Sequence, residues 1–206
     1  MKAIYIGAGT DIRPIKFLKN VKKFYYFDGQ PHSEFGTKLS GTIMKDGFDG
    51  FSRPKFISNL DQEMNTINMK LVKINDNLRT YSNGDQIVYY YTNTAIPEHY
   101  QLIKNDIKNF DTLIVAGHDP DSCFLNATNK KINFIGAEGT YYGNSEFESN
   151  NSIIYRIYND KIKSKFKTFS YMKNDSSVFQ FNSWNDYVYY YSKEHRRFKN
   201  DIRIWK

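Results

Sequence analysis

Lys2-Ala3-Ile4-Tyr5-Ile6-Gly7-Ala8-Gly9-Thr10-Asp11 stands at the amino end of the chain and decides how the rest is read. An apolar run passes straight into Gly-x-Gly, as a buried strand does when it ends in a tight turn. A second apolar run, Phe24-Tyr25-Tyr26-Phe27, stops at an acid, Asp28. In a doubly wound sheet two such strand ends lie side by side. The glycines let the backbone approach a ligand closely, and the acid can accept both hydroxyls of a ribose. Gly7, Ala8, Gly9 and Asp28 therefore predict a site for a nucleoside-containing cofactor.

Working outward, the residues after Gly9 predict a helix that Asp11 caps, with Pro14 in its first turn and Ile15, Leu18 and Val21 on its apolar face. Lys22 to Asp28 is the second strand, and Gly29 to Ser52 a long loop over the cofactor region. Pro54 to Asn68 reads as a helix, then Met69 to Thr80 and Gln86 to Asn93 as extended runs around the hairpin signal Asn83-Gly84. Pro97 opens a helix through Asn109, with Tyr100, Ile103 and Ile107 on one face. Asp111 to Ala116 and Lys131 to Ala137 are buried strands, the second ending in Gly136-Ala137-Glu138-Gly139. Ser152 to Tyr158 and Lys161 to Met172 flank Asn159-Asp160 as a hairpin, and Tyr187 to Ser192 is a further strand.

With 206 residues the chain suffices for one domain and one substantial core. Mean hydropathy is −0.66, so the core must draw heavily on aromatics. The sequence supplies 17 Tyr and 16 Phe for it. The single cysteine, Cys123, excludes an intrachain disulfide and a cysteine-based metal cluster. His32, His99, His118 and His195 are scattered without His-x-x-x-His spacing, so no metal site is expected. No run approaches the roughly 20 apolar residues of a membrane span. Gly7, Gly9 and Asp11 break the one stretch that a signal peptide would need. A cytoplasmic protein is expected, in the host cytoplasm if the source is viral. The net charge of +7 attracts polyanions, and the basic residues thicken at Lys161 to Lys173 and Lys193 to Lys206. Nucleic acid bound through this basic surface is one reading of the excess; a solvated surface is the other.

The order of elements, together with Ile4-Tyr5-Ile6-Gly7-Ala8-Gly9 and Asp28, resembles the class I S-adenosylmethionine-dependent methyltransferase family, which is Rossmann-like. Dehydrogenases that bind NAD need a third glycine where this chain has Ile12, and the Gly-Lys-Ser/Thr of a Walker A loop is absent. The resemblance implies an α/β fold: a doubly wound, mostly parallel sheet with helices on both faces and a C-terminal antiparallel hairpin. It implies one domain over 1–206, with a core at about 1–172 and a basic tail at 173–206. It further implies S-adenosylmethionine as cofactor, with Gly7, Ala8 and Gly9 against the methionine moiety and Asp28 on the ribose. Asn93, at another strand end, would bind the adenine or cap the helix begun at Pro97.

Methyl transfer asks a protein mainly to align the nucleophile and, where required, remove a proton. The acceptor side would lie beyond the strand Asp111 to Ala116, at His118-Asp119-Pro120-Asp121. This stretch loosely resembles the family's Asp/Asn-Pro-Pro-aromatic motif, but Asp121 replaces the second proline and no aromatic follows. His118 could act as base and Asp119 could accept a substrate hydrogen bond; as turn chemistry, the same residues need no function. Glu138, Asp119 and Lys130 or Lys131 invite comparison with the Lys-Asp-Lys-Glu set of RNA ribose 2′-O-methyltransferases. The comparison fails at the first lysine, since Lys2 has almost no chain before it. Tyr89-Tyr90-Tyr91 and Tyr189-Tyr190-Tyr191 could stack bases, yet in strands only alternate rings share a face, which fits packing better. Two functions remain: a methyltransferase acting on a nucleic acid or small molecule, or a catalytically inactive methyltransferase-like scaffold that binds nucleic acid.

Overall fold

The computed structural model describes residues 1–28, 53–75, 78–92, 104–115, 125–137 and 164–194. Among these residues nine strands form one sheet: β1 (Lys2–Ile6), β2 (Lys23–Asp28), β3 (Lys70–Asn75), β4 (Leu78–Ser82), β5 (Ile87–Thr92), β6 (Thr112–Val115), β7 (Ile132–Ala137), β8 (Phe166–Met172) and β9 (Val178–Phe181). Their order across the sheet is β3-β4-β5-β2-β1-β6-β7-β8-β9. From β5 to β8 every neighbouring pair is parallel, while β3, β4 and β9 add antiparallel strands at the two edges.

Three helices accompany the sheet among the described residues: α1 (Arg13–Phe17), α2 (Arg53–Thr66) and α3 (Trp184–Glu194). This overturns the expected doubly wound α/β fold with helices on both faces. The described chain is mainly a nine-stranded sheet with short, sparse helices. Its strands succeed one another directly from β3 to β5 and from β8 to β9. The physical reason lies in the aromatic and β-branched content, which fits a pleated surface better than a helix. Met69 to Thr80, read as one run, forms two strands, β3 and β4, and the end of the helix expected at Pro97 to Asn109 is turn at residues 104–109.

The carboxyl-terminal hairpin is β8–β9, closed by the turn Lys173 to Ser177; the segment 152–158 expected to pair there lies outside the described residues. The strand expected at Tyr187 to Ser192 belongs instead to α3. Ser183 starts that helix: its hydroxyl accepts from the Asp186 amide at 3.1 Å and donates to the Asp186 carboxylate at 2.7 Å. This is a side-chain N-cap, with Ser183 satisfying the third amide of the helix, and Ser183-x-x-Asp186 is its sequence signal.

The sheet buries both faces. Phe24, Tyr25, Tyr26 and Phe27 are each at most 2% exposed, as expected of a central strand that alternates its side chains between two cores. Tyr25 and Phe27 face a core completed by Trp184 and Tyr187 of α3. Phe24 and Tyr26 face a core completed by Ile15 of α1 and Leu60 and Met64 of α2. Burying each such ring contributes roughly 1.5–3 kcal/mol. Asp61 fastens α2 to the sheet, because both its oxygens accept from Arg79 Nη2 (2.8 and 2.6 Å) and one also accepts from the Tyr81 hydroxyl (2.6 Å). Residues 178–194 thus belong to the sheet and its core, although they follow the boundary expected at 172.

Candidate functional site

Because β5, β2, β1, β6, β7 and β8 are mutually parallel, their carboxyl ends share one edge of the sheet. The chain adds β2 and β5 on one side of β1, and β6, β7 and β8 on the other. Where strand order reverses in this way, the connections leave a crevice at the carboxyl ends.

Gly7, Ala8 and Gly9 follow β1 directly, and Asp28 is the last residue of β2. The β1–β2 register pairs Ile6 with Phe27, so Gly7 and Asp28 are the next positions along two adjacent strands. Asp28 is itself in register with Thr92 at the end of β5. The structure therefore brings the glycine turn and the Asp28 backbone together. Asn93, His118, Asp119, Asp121 and Glu138 lie outside the described residues, as does the basic stretch 195–206. In sequence, Asn93 follows β5 and His118 and Asp119 come shortly after β6.

The glycine turn is a tightly bonded unit. Gly7 (φ 71°) and Gly9 (φ 49°) occupy the left-handed region, where a side chain would be strained. The amides of Gly7 and Ala8 both donate to the Phe27 carbonyl, at 2.9 and 3.2 Å. The Asp11 amide closes the turn onto the Ala8 carbonyl at 3.0 Å, and the Tyr90 hydroxyl donates to the Gly9 carbonyl. All three turn residues are buried. A ligand reaching this turn would meet the Cα faces of the glycines, since the Gly7 and Ala8 amides are already committed to β2.

Beneath the turn lies a charged cluster that the sequence reading missed. Asp11 is 3% and Arg13 6% exposed. Asp11 Oδ1 accepts from the Arg13 amide (2.9 Å) and Nε (2.8 Å), and Oδ2 accepts from Arg13 Nη2 (2.7 Å) and the Tyr5 hydroxyl (2.5 Å). The helix cap expected of Asp11 is not made: Ile12 is the N-cap residue, without a side-chain bond. The other side of the guanidinium reaches across the edge, with Nη1 donating to the Lys173 carbonyl (2.6 Å) and Asn174 Oδ1 (3.3 Å). Burial, reinforced by the Asp11 carboxylate, pushes the Tyr5 hydroxyl well above the usual tyrosine range. Neighbouring Tyr26 is fully buried, and its hydroxyl has no hydrogen-bond partner among the described residues. The legible signal for this cluster was an acid and an arginine two residues apart, directly after Gly-x-Gly.

At the opposite, amino edge, Asp111 accepts from the Lys2 amide (2.7 Å) and from Lys130 Nζ (2.5 Å). This pair anchors the start of β1 and β6, and Lys130 is thereby placed away from the carboxyl edge. Among the described residues no group of three or more His, Cys, Asp or Glu could hold a metal ion, and no helix is long and apolar enough to cross a membrane. Comparisons of the chain with protein-family models, with curated proteins and with solved structures find no match in any of the three.

Proposed function

We propose that the carboxyl edge of the sheet binds S-adenosylmethionine and that the chain transfers its methyl group to a nucleic acid or small-molecule acceptor. The observation that carries this reading is the register of β1 on β2, which sets a turn with two Cβ-free positions beside an acid at the next strand end. The cofactor supplies an already activated methyl group, so the chain's residues need only bind and orient. Gly7 and Gly9 admit the ligand close to the backbone, and Asp28 binds the ribose hydroxyls. Asn93, next in sequence after β5, is assigned to the adenine, and His118 and Asp119, following β6, to the acceptor.

A second reading is a catalytically inactive scaffold that uses its positive charge to hold nucleic acid. The saturated Gly7 and Ala8 amides and the burial of the turn favour it, because a turn satisfied by its own fold needs no ligand. Either protein would work in the cytoplasm. The two readings separate on whether the Asp28→Ala and Asp28→Asn variants lose S-adenosylmethionine affinity. Loss supports the cofactor site; unchanged affinity removes Asp28 from it. Polyanion binding that falls steeply with salt, without any cofactor binding, supports the scaffold.

A further inference from the structure

Arg13 joins two turns that are 160 residues apart in sequence. One is the glycine turn after β1; the other is the β8–β9 turn. Between β1 and β8 lie β6 and β7, so the two strands are separated by three strand spacings, about 14 Å. The β1–α1 connection and the Arg13 side chain together bridge that distance on the face that holds Ala8, Ile15, Ala137 and Met172.

Both ends of the bridge are fixed. At the near end, Asp11 holds the guanidinium by two of its nitrogens and is itself tied to Ala8 through its amide. At the far end, the Lys173 carbonyl accepts from Arg13 and also from the Ser176 amide at 3.0 Å. The turn around it is braced in its own right: Lys173 and Ser177 are bonded through the backbone, and Asp175 Oδ1 accepts from the Ser177 amide (2.9 Å) and hydroxyl (2.5 Å). The guanidinium thus meets a preformed acceptor.

We infer that Arg13 is a positioning residue: it sets the glycine turn from the β8–β9 turn, so that the order of the hairpin governs the shape of the cofactor-binding edge. The consequence for a cofactor rests on the function proposed above; the coupling of the two turns does not. Lysine at position 13 cannot reproduce a guanidinium that serves Asp11 and Lys173 at once.

Amide hydrogen exchange at Gly7, Ala8 and Asp11 tests this in the full chain, with the Asn133 amide, bonded to Asp111 at the amino edge, as reference. Arg13→Lys is expected to speed exchange at the three turn amides about tenfold or more while leaving the reference unchanged. Asp175→Ala removes the brace on Ser177 from an exposed side chain of the hairpin turn, without touching the packed core. It is expected to speed the same three amides in the parent chain and to add nothing in the Arg13→Lys background. Uniform acceleration everywhere, or additive effects of the two changes, would overturn the coupling. Should Arg13→Lys not fold, Asp175→Ala decides alone: unchanged turn amides refute the inference. Titration of the same variants with S-adenosylmethionine separates the two claims. A parent chain that fails to bind while its turn amides respond refutes the cofactor and keeps the coupling. A parent chain that binds, with amides that do not respond, does the reverse.

Discussion

The Tyr5 hydroxyl donates to Asp11 Oδ2 at 2.5 Å, while the hydroxyl of Tyr26, whose ring meets Tyr5 edge-on at 5.1 Å, has no partner among the described residues. Two adjacent buried phenols therefore stand in opposite situations. Tyr5→Phe removes a bond to a buried carboxylate and is expected to cost roughly 1.5–3 kcal/mol. Tyr26→Phe removes a group that gains nothing from burial, and is expected to be neutral or stabilising. Urea denaturation of the two variants checks the order; equal destabilisation would mean that the Tyr26 hydroxyl has a bonded partner.

Gly136 makes room for α3. A Cβ there would lie 2.2 Å from the Tyr187 hydroxyl, 3.1 Å from its Cζ and 3.2 Å from Tyr171 Cδ2, against two buried rings of one core. Gly136→Ala should destabilise by about 1–3 kcal/mol, through overpacking. Adding Tyr187→Phe removes the nearest atom and should restore part of the loss, although Tyr187 gives up its hydroxyl. A double variant no more stable than Gly136→Ala alone would contradict the packing.

Alkaline pH should unfold this protein cooperatively. Burial, the largest cause in each case, raises the Tyr5, Tyr25, Tyr26, Tyr81, Tyr91 and Tyr187 hydroxyls above the ordinary tyrosine value. A phenol raised in the folded state retains its proton where the unfolded chain has lost it. The resulting stability is complete below about pH 10 and falls as pH rises beyond it. Tyrosinate absorbance should therefore show a gradual phase from exposed rings and then a steep one that coincides with loss of the sheet by circular dichroism. A single gradual titration with the sheet intact would refute it.

Acid acts at the other edge. Burial opposes ionisation of Asp111, but the bonds from Lys130 and from the Lys2 amide outweigh it and hold the carboxyl below its usual range. A lowered carboxyl contributes stability that is fully present above about pH 4 and is lost as pH falls through the folded value. Asp111→Asn should therefore destabilise modestly at pH 7, by up to about 1 kcal/mol for so accessible a pair, and flatten the acid limb of the stability profile. An unchanged acid limb would show that the pair is not felt.

Much of the strand pattern was legible because buried parallel strands are written as unbroken apolar runs. Phe24 to Phe27 and Thr112 to Val115 could be little else. Asn83-Gly84 also marked its turn correctly, with Gly84 at φ 92° between β4 and β5. The balance of helix and strand was not legible. Tyr187 to Ser192 has the composition of a strand, yet the Ser183 side-chain cap on the Asp186 amide and the packing of Trp184 and Tyr187 on Phe134 make it a helix. The alternation expected within Tyr89 to Tyr91 holds, because Tyr90 faces one core and Tyr91 the other. Within the candidate site, the glycine turn and Asp28 were readable from local spacing. Arg13 was not, because its role depends on Lys173, a residue brought close only by the sheet.

The most direct measurement is calorimetric titration of the purified chain with S-adenosylmethionine and S-adenosylhomocysteine, with NAD as control. Saturable binding of the first two and not of NAD, weakened by roughly 1–3 kcal/mol in Asp28→Ala, is the expected result. Failure of the parent chain to bind either compound would contradict a cofactor site at the carboxyl edge and leave Gly7 to Gly9 as a structural turn.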